Sequence, residues 1–188
     1  MLDVAAGTGD IALRVAADRD SAQTAIVISD ICPQMLEVAK RRAKVLRRSL
    51  QFMILDAHRL NTIPDNSVDL FSMSLGLKIC DRHQAMREAA RVLKPGGTFI
   101  SLEASSIKWR WLHKIYLVYM SLCMPTIGWL ATGGDASAYK YLLEGVREFP
   151  GAEALANEMQ QLGFINVEFE RISLGIVAIH TANKPAIY

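Results

Sequence analysis

The sequence is poor in paired cysteines, in net charge and in long apolar runs. Its three cysteines, Cys32, Cys80 and Cys123, lie far apart and form no CxxC pair. This spacing indicates neither a disulfide framework nor a zinc site, and it fits a reducing compartment. The formal net charge of +2 is too small to predict nucleic-acid binding. The chain opens without a basic segment, an apolar run and a cleavage site, so no signal peptide is legible.

Apolar residues are abundant, at 51% of the 188 residues, and the mean hydropathy is +0.18. These values exclude a disordered chain, and the length fits one domain with one core. Residues 1–5 are apolar and strand-like from the first position. We therefore expect a single domain over residues 1–188 from which a preceding segment has been lost.

Short β-like runs alternate with helical patterns in the first half of the chain. We predict strands at residues 2–5, 25–29, 52–55, 68–73 and 98–102 and helices at residues 10–17, 33–46 and 83–93, the last ended by residues 94–97 (Lys-Pro-Gly-Gly). Strands separated by helices imply right-handed crossovers, and hence a parallel sheet covered on both faces. The pattern then predicts helices at residues 137–147 and 151–162 and an antiparallel strand pair at residues 167–171 and 175–180.

A glycine loop follows the first predicted strand and opens a helix. Gly7, Thr8 and Gly9 begin a G-x-G-x-x-A pattern, and Asp30 ends the second strand about twenty residues later. This is the pattern of a dinucleotide site, where glycines admit a phosphate and the acid binds a ribose. A pair of turn glycines beside unrelated helix caps would give the same letters.

Acidic neighbours of the loop favour a different ligand. Asp3 precedes the loop and Asp10 lies in the first helical turn, where both would repel a pyrophosphate. Acids suit S-adenosylmethionine, which carries an ammonium, a sulfonium and a ribose. Asp56 ends the third strand, where it could accept a hydrogen bond from adenine, and Ser74 follows the fourth. Ligands of open parallel sheets bind at such strand ends, so we favour S-adenosylmethionine.

Three segments resemble motifs of class I methyltransferases in general. They are residues 2–10 (Leu-Asp-Val-Ala-Ala-Gly-Thr-Gly-Asp), 30–36 (Asp-Ile-Cys-Pro-Gln-Met-Leu) and 91–97 (Arg-Val-Leu-Lys-Pro-Gly-Gly). Further segments resemble the ubiquinone/menaquinone biosynthesis C-methyltransferases of the UbiE type. They are residues 76–78 (Gly-Leu-Lys), 102–103 (Leu-Glu), 137–142 (Ser-Ala-Tyr-Lys-Tyr-Leu) and 175–180 (Gly-Ile-Val-Ala-Ile-His). The matches run from Leu2 to about Lys184.

The resemblance implies a Rossmann-like α/β fold with a mostly parallel seven-stranded sheet, a C-terminal antiparallel strand pair, and a helical insertion at residues 104–149 after the fifth strand. It implies S-adenosylmethionine as cofactor and methylation of a ring carbon of a prenylated quinol or phenol. No metal is implied. The cofactor-binding residues would be Asp3, Gly7, Thr8, Gly9, Asp30, Ile31, Asp56, Ala57 and Ser74. The catalytic residues would be Lys78, stabilising a phenolate, and Asp10, relaying a proton through water. Tyr139 and Tyr141 would border the substrate. His113 lies in the apolar insertion, where it could border the substrate and serve as a base or be a partly buried or interfacial histidine.

Two features depart from the family pattern. The family carries a helical segment before the first motif, which this sequence lacks, and Lys78-Ile79 stands where the family has Arg-Asn. Lysine keeps the charge and loses the planar fork of arginine. Two alternatives therefore stay open, namely a non-catalytic paralogue within a quinone-synthesis assembly and a methyltransferase for another small lipophilic molecule.

An apolar, aromatic stretch at residues 109–129 accounts for much of the apolar excess. It contains no uninterrupted apolar run of the ~20 residues that span a bilayer. A core helix, a lid over an isoprenoid tail and a helix lying in a membrane surface are three interpretations of it. Partners could include a second copy or a quinone-biosynthesis complex, without nucleic acid. The resemblance implies a cytoplasmic enzyme, at the inner face of the membrane, or a matrix enzyme in mitochondria.

Overall fold

Seven strands form one sheet, in the order β3-β2-β1-β4-β5-β7-β6. The computed structural model describes residues 1–18, 20, 23–46, 48–107, 109–132 and 149–186, without the side chains of residues 110, 113 and 124–132. The strands are β1 (Leu2–Val4), β2 (Val27–Asp30), β3 (Gln51–Ile54), β4 (Val68–Ser74), β5 (Leu93–Ala104), β6 (Ile165–Ile172) and β7 (Val177–Asn183).

Strands β1 to β5 run parallel to one another, while β7 runs antiparallel to both β5 and β6. This confirms the predicted fold class. Strands β2 and β3 lie on one side of β1, and β4 and β5 lie on the other. The strand order therefore reverses between β1 and β4, and their carboxyl ends border a crevice of the kind in which such sheets bind ligands.

Five helices are described along the chain. They are α1 (Asp10–Ala17), α2 (Pro33–Ala43), α3 (Arg82–Val92), α4 (Arg110–Thr132) and α5 (Ala152–Gln161). Pro33 occupies the first turn of α2, as predicted, because its missing N–H has no partner to lose there. The Asp81 carboxylate begins α3 by accepting a hydrogen bond from the Gln84 N–H.

The start of β5 differs from its prediction. Residues 94–97 were expected to form only a turn, but they lie within β5, which begins at Leu93. The pairing of β4 with β5 passes from Val68–Leu93 directly to Leu70–Thr98. Residues 94–97 therefore bulge out of the ladder, and Gly96 adopts a φ of 77°. Glycine tolerates this left-handed conformation at low cost, which is why a turn-like sequence is accommodated inside a strand.

Aromatic side chains fill the core between the sheet and α3 and α5. Phe99 is fully buried on β5, and its ring centroid lies 5.6 Å from that of Phe71 and 5.4 Å from that of Phe164. His180 is also buried, with Nε2 2.9 Å from the Ala152 carbonyl oxygen. Burial lowers the pKa of His180, so this side chain is a neutral element of the core.

Helix α4 lies within the predicted insertion at residues 104–149. Trp111, Ile115 and Val118 are more than half exposed and recur at helical spacing along it. Among the described residues, no helix combines the length and the hydropathy needed to cross a membrane. The helix predicted at residues 137–147 falls outside the described residues.

Candidate functional site

The glycine loop turns sharply between β1 and α1. Ala5, Gly7 and Gly9 all have positive φ angles, of 52°, 55° and 81°. A Cβ atom built on Gly9 would lie 3.2 Å from Cβ of Ala39 on α2. Gly9 therefore serves two purposes, since it permits the left-handed turn and allows α2 to approach the loop closely.

Asp30 ties this loop to the end of β2. Its Oδ2 accepts a hydrogen bond from the Gly7 N–H at 2.7 Å, and its Oδ1 accepts one from the Cys32 N–H at 2.8 Å. The side chain is 9% exposed. Each carboxylate oxygen has two lone pairs, so Asp30 can hold both backbone groups and still accept from a ligand hydroxyl.

Asp3 lies at the bottom of the crevice. Its Oδ1 accepts a hydrogen bond from the Ser72 hydroxyl at 2.6 Å, and its Oδ2 has no hydrogen-bond partner among the described residues. Burial raises the pKa of Asp3 from 3.8 to about 6, although the Ser72 hydroxyl and the Ala12 N–H partly oppose the rise. A buried carboxylate that is compensated only by neutral hydrogen-bond donors is suited to a cation.

Asp10 is compensated by a partner that the sequence analysis did not single out. Arg42 on α2 donates to Asp10 Oδ1 at 2.6 Å and to Thr8 Oγ1 at 2.9 Å, and the Thr8 hydroxyl donates to Asp10 Oδ2. These hydrogen bonds, Arg42 first, lower the pKa of Asp10. The repulsion of a pyrophosphate by Asp10 is thus weaker than the sequence indicated, and Asp3 carries that argument.

Two cavities lie at the carboxyl ends of the strands, and Ala5 lines both. The larger, with a volume of about 370 Å³, includes acidic and hydroxyl side chains in its lining, which consists of Asp3, Ala5, Ala6, Gly7, Thr8, Asp10, Ile11, Met35, Ser74 and Leu75. The smaller, of about 140 Å³, is mostly apolar and is lined by Ala5, Ile31, Leu55, Asp56, Ala57, His58, Met73, Gly76, Ile79 and Cys80. The fold thus brings together, around these two cavities, all the predicted cofactor-binding residues except Gly9 and Asp30, which hold the loop itself.

His58 links the two sides of the apolar cavity. The Asp81 N–H donates to His58 Nε2 at 2.9 Å, so the proton of the neutral ring lies on Nδ1, 3.0 Å from Asp56 Oδ1. The His58 N–H also donates to the same carboxylate oxygen at 2.9 Å. The His58 ring and the His58 backbone N–H therefore both orient the Asp56 carboxylate.

Lys78 lies in a constrained turn between β4 and α3. Leu75 has a φ of 56°, and a Cβ atom on Gly76 would come within 2.9 Å of the Ala5 Cβ. Lys78 is then carried by a 3₁₀ turn, Leu77–Ile79. Its side chain is half buried, and burial lowers the pKa of its ammonium while the charge of Glu103 raises it. Lys78 itself lies outside the lining of the two cavities, although Gly76 and Ile79 belong to it.

The family of this chain is identified by its match to a family model. The model of the ubiE/COQ5 methyltransferase family matches residues 1–184. The chain belongs to the ubiE/COQ5 methyltransferase family. The resemblance found in the sequence motifs is thereby confirmed over almost the whole chain.

Individual relatives agree with this membership of the ubiE/COQ5 family. The chain is 40% identical over 189 residues to the ubiquinone/menaquinone biosynthesis C-methyltransferase UbiE of Rickettsia felis, and the match covers 98% of this chain and 75% of the relative. It is 36% identical to the mitochondrial 2-methoxy-6-polyprenyl-1,4-benzoquinol methylase of Schizosaccharomyces pombe, covering 98% of this chain and 64% of the relative.

Solved structures support the fold of this ubiE/COQ5 family member. The CurJ carbon methyltransferase aligns with a TM-score of 0.71 at 18% identity, covering 98% of this chain and 48% of that one. The [4+2]-cyclase SpnF aligns with a TM-score of 0.71 at 22% identity, covering 99% and 74%. Because proteins of such different activity share the fold, these matches speak for architecture alone.

Four residues that matter in the site of this family member were not among the predicted site residues. Met35 on α2 is 45% exposed and lines the larger cavity. Arg42, His58 and Glu103 act through partners that are 23 or more residues away. The family-like Leu102-Glu103 pair was the signal for Glu103. His113 has no described side chain, and Tyr139 and Tyr141 lie outside the described residues.

Substituting Asp3 with asparagine should change how stability depends on pH. Between pH 3.8 and about 6 the folded protein holds a proton on Asp3 that the unfolded chain has lost. Folding is therefore weakened as pH rises through this window, by about 2–3 kcal/mol once Asp3 is fully ionised. We expect Asp3→Asn to abolish this loss. Urea unfolding at a series of pH values measures it as the difference between the two proteins.

A second variant provides the control for Asp3. Ser72→Ala removes the hydrogen bond that holds the pKa of Asp3 down, so the loss of stability should begin at the same pH as in the wild type but continue to a higher pH and become larger. Parallel stability curves for wild type and Asp3→Asn would show that Asp3 does not titrate in this window.

Proposed function

We propose that this chain transfers a methyl group from S-adenosylmethionine to a ring carbon of a prenylated quinol or phenol of ubiquinone or menaquinone biosynthesis. The names of the relatives support the substrate class. The observation that carries the proposal is a pair of cavities at the switch point that share Ala5 and include the acids Asp3, Asp10 and Asp56 in their linings. Among the described residues, no group of side chains could hold a metal ion.

The residues around the cavities fit the parts of this cofactor. The uncompensated Asp3 oxygen, with Thr8 and Ser74, suits the ammonium and carboxylate of the amino-acid tail. Asp30 suits the ribose hydroxyls. Asp56, with Ala57 and Ile31, suits adenine in the smaller, apolar cavity. When bound, the cofactor supplies an electrophilic methyl group on a sulfonium.

In this proposal, Lys78 stabilises negative charge on the substrate and Asp10 accepts a proton from it. The Lys78 ammonium stabilises the phenolate form of the substrate, which makes the ring carbon more nucleophilic. Asp10, an exposed residue in the lining of the larger cavity, accepts the ring proton through water. Because Arg42 lowers its pKa, Asp10 is ionised and ready to accept at neutral pH, but it is a weak base. Alignment of the reactants supplies most of the acceleration, ~7–11 kcal/mol.

The insertion provides the apolar part of the substrate site. The exposed stripe of α4, with Trp111, Ile115 and Val118, is suited to an isoprenoid tail or to the membrane surface that holds it. Tyr139 and Tyr141 belong to a segment that follows the family pattern, and we assign them to the ring of the substrate on that ground alone. We assign His113 there because of its place in the insertion.

Replacing Lys78 tests the catalytic part of the proposal. With a short-chain demethyl quinol as substrate, we expect Lys78→Gln to lower kcat by about 10²-fold, since it removes the charge opposite the phenolate. Lys78→Arg should restore most of the loss. The affinity for S-adenosylhomocysteine, measured by calorimetry, should stay within about two-fold in both variants, because the ammonium acts on the substrate.

Lys94→Gln is the matched control, because Lys94 is an exposed lysine that is paired with Asp69. Its kcat should equal that of the wild type. Wild-type protein that binds S-adenosylhomocysteine but methylates no quinol would contradict the enzymatic proposal and favour the non-catalytic subunit. A methylated product other than a quinol, found by mass spectrometry, would favour a methyltransferase for another small lipophilic molecule.

A further inference from the structure

Glu103 is a buried acid that the proposed mechanism does not use. It lies near the end of β5, next to the end of β4 that leads into the Lys78 turn. Its exposed fraction is 0%. Acids are seldom buried to this extent without a cationic partner or several hydrogen bonds. The complete burial of Glu103 therefore indicates that neighbouring groups hold its carboxylate in place.

The Glu103 carboxylate faces the turn rather than either cavity. Its Oε1 accepts a hydrogen bond from the Leu77 N–H at 2.7 Å. Oε2 has no hydrogen-bond partner of normal geometry among the described residues. The N–H groups of Gly76 and Lys78 nevertheless lower the pKa of Glu103, as does the Lys78 charge. The groups that lower the pKa of this carboxylate thus belong to three consecutive residues of one turn.

The turn needs an anchor because its backbone is strained. Leu75 adopts a φ of 56°, which costs a residue with a Cβ atom of order 1 kcal/mol or more. Its N–H donates to the Leu102 carbonyl at 2.8 Å, so the neighbouring residue of β5 holds the other end of the same turn. Leu102 and Glu103 together fix where the chain leaves β4.

Among the described residues, Cys80 is a further titratable group that interacts with Glu103. Its thiol pKa is raised to about 11 by burial and by the charges of Glu103, Asp81 and Asp56. Cys80 is therefore neutral at ordinary pH. Burial raises the pKa of Glu103 to about 7, so above this pH its negative charge acts on Lys78.

We propose that Glu103 is a positioning residue, whose carboxylate anchors the 76–78 turn through backbone N–H groups and sets both the place and the charge of the Lys78 ammonium. Its consequence for catalysis rests on the proposed function, but the anchoring and the electrostatic coupling do not.

Glu103→Gln removes the negative charge of the side chain but keeps its size and shape. The amide oxygen can still accept from the Leu77 N–H, but the negative charge is gone. The loss lowers the pKa of Lys78, because an ammonium is easier to deprotonate without an adjacent carboxylate. Competitive acetylation of lysines with acetic anhydride over an alkaline pH series, read by mass spectrometry, gives the titration midpoint of Lys78. We expect it to fall by roughly half a pH unit or more.

Lys44 supplies the internal control for the same experiment, since it lies on an exposed face. Its midpoint should not move. An unchanged Lys78 midpoint, or an equal shift at Lys44, would overturn the coupling. Neither readout involves methyl transfer, so failure here is distinct from failure of the proposed function.

Glu103→Leu tests the anchor. An apolar side chain of similar size keeps the core filled but cannot accept from the Leu77 N–H. We expect amide hydrogen exchange at Leu77 to accelerate by about tenfold or more, and Glu103→Gln to retain most of the protection. The amide of Ser72, within β4, should keep its protection in both variants. Equal exchange at Leu77 in wild type and Glu103→Leu would overturn the anchoring role.

Discussion

Asp30→Ala is expected to weaken the binding of S-adenosylhomocysteine by about 100-fold or more, close to 3 kcal/mol. The reason is that Asp30 has two functions at once. It orders the loop through the Gly7 N–H and the start of α2 through the Cys32 N–H, and we propose that it also accepts from the ribose. Hydrogen bonds to a charged group contribute about 1.5–3 kcal/mol each.

Isothermal titration calorimetry measures this effect directly. Asp30→Asn should fall between wild type and Asp30→Ala, because an amide can accept one of the two backbone N–H groups but presents a donor to the other. Asp69→Asn makes the same chemical change at an exposed acid paired with Lys94 and should bind like the wild type. Affinity within about three-fold of wild type in Asp30→Ala would contradict the cofactor assignment.

Phe99→Ala is expected to lower the free energy of unfolding by about 3–5 kcal/mol. Phe99 is fully buried and lies against the rings of Phe71 and Phe164. Its removal leaves a cavity whose walls belong to β4, β5 and the start of β6, where the sheet cannot collapse without breaking its ladders. Since total stability is about 5–15 kcal/mol for a typical domain, the loss is a large share of it.

Urea unfolding followed by circular dichroism measures the difference. Phe169→Ala provides the control, because Phe169 is only partly buried and contacts Arg171 and His180 near the edge of the sheet. It should cost about 1–2 kcal/mol. Equal destabilisation by the two variants would show that the aromatic cluster around Phe99 is not the centre of the core.

The elements that the sequence predicts well are those with a strong local pattern. Pro33 marks the first turn of α2, and the alternation of strands and helices predicts the five parallel strands, with ends that differ by a few residues. Local turn chemistry also predicts the loop of Gly7 and Gly9. The start of β5 is different, because whether residues 94–97 leave the sheet or bulge within it depends on the partner strand β4.

The site divides in the same way. Acids at strand ends are visible in the sequence, since parallel strands bring their carboxyl ends to one edge. The state of each acid is not visible. Asp3 and Asp10 look alike in sequence, yet one is buried with its pKa raised to about 6, and the other is exposed and neutralised by Arg42.

An α/β fold with acids at its strand ends is predictable from the amino-acid sequence alone, and so is the match of its motifs to a methyltransferase family. Both follow from residues close together in the chain. Which charges are compensated depends on the folded chain, because the partners are distant in sequence. Arg42 and Asp10 are 32 residues apart, and Glu103 and Leu77 are 26 residues apart. Burial and long-range pairing set the electrostatics of this site, and neither is a property of any local segment.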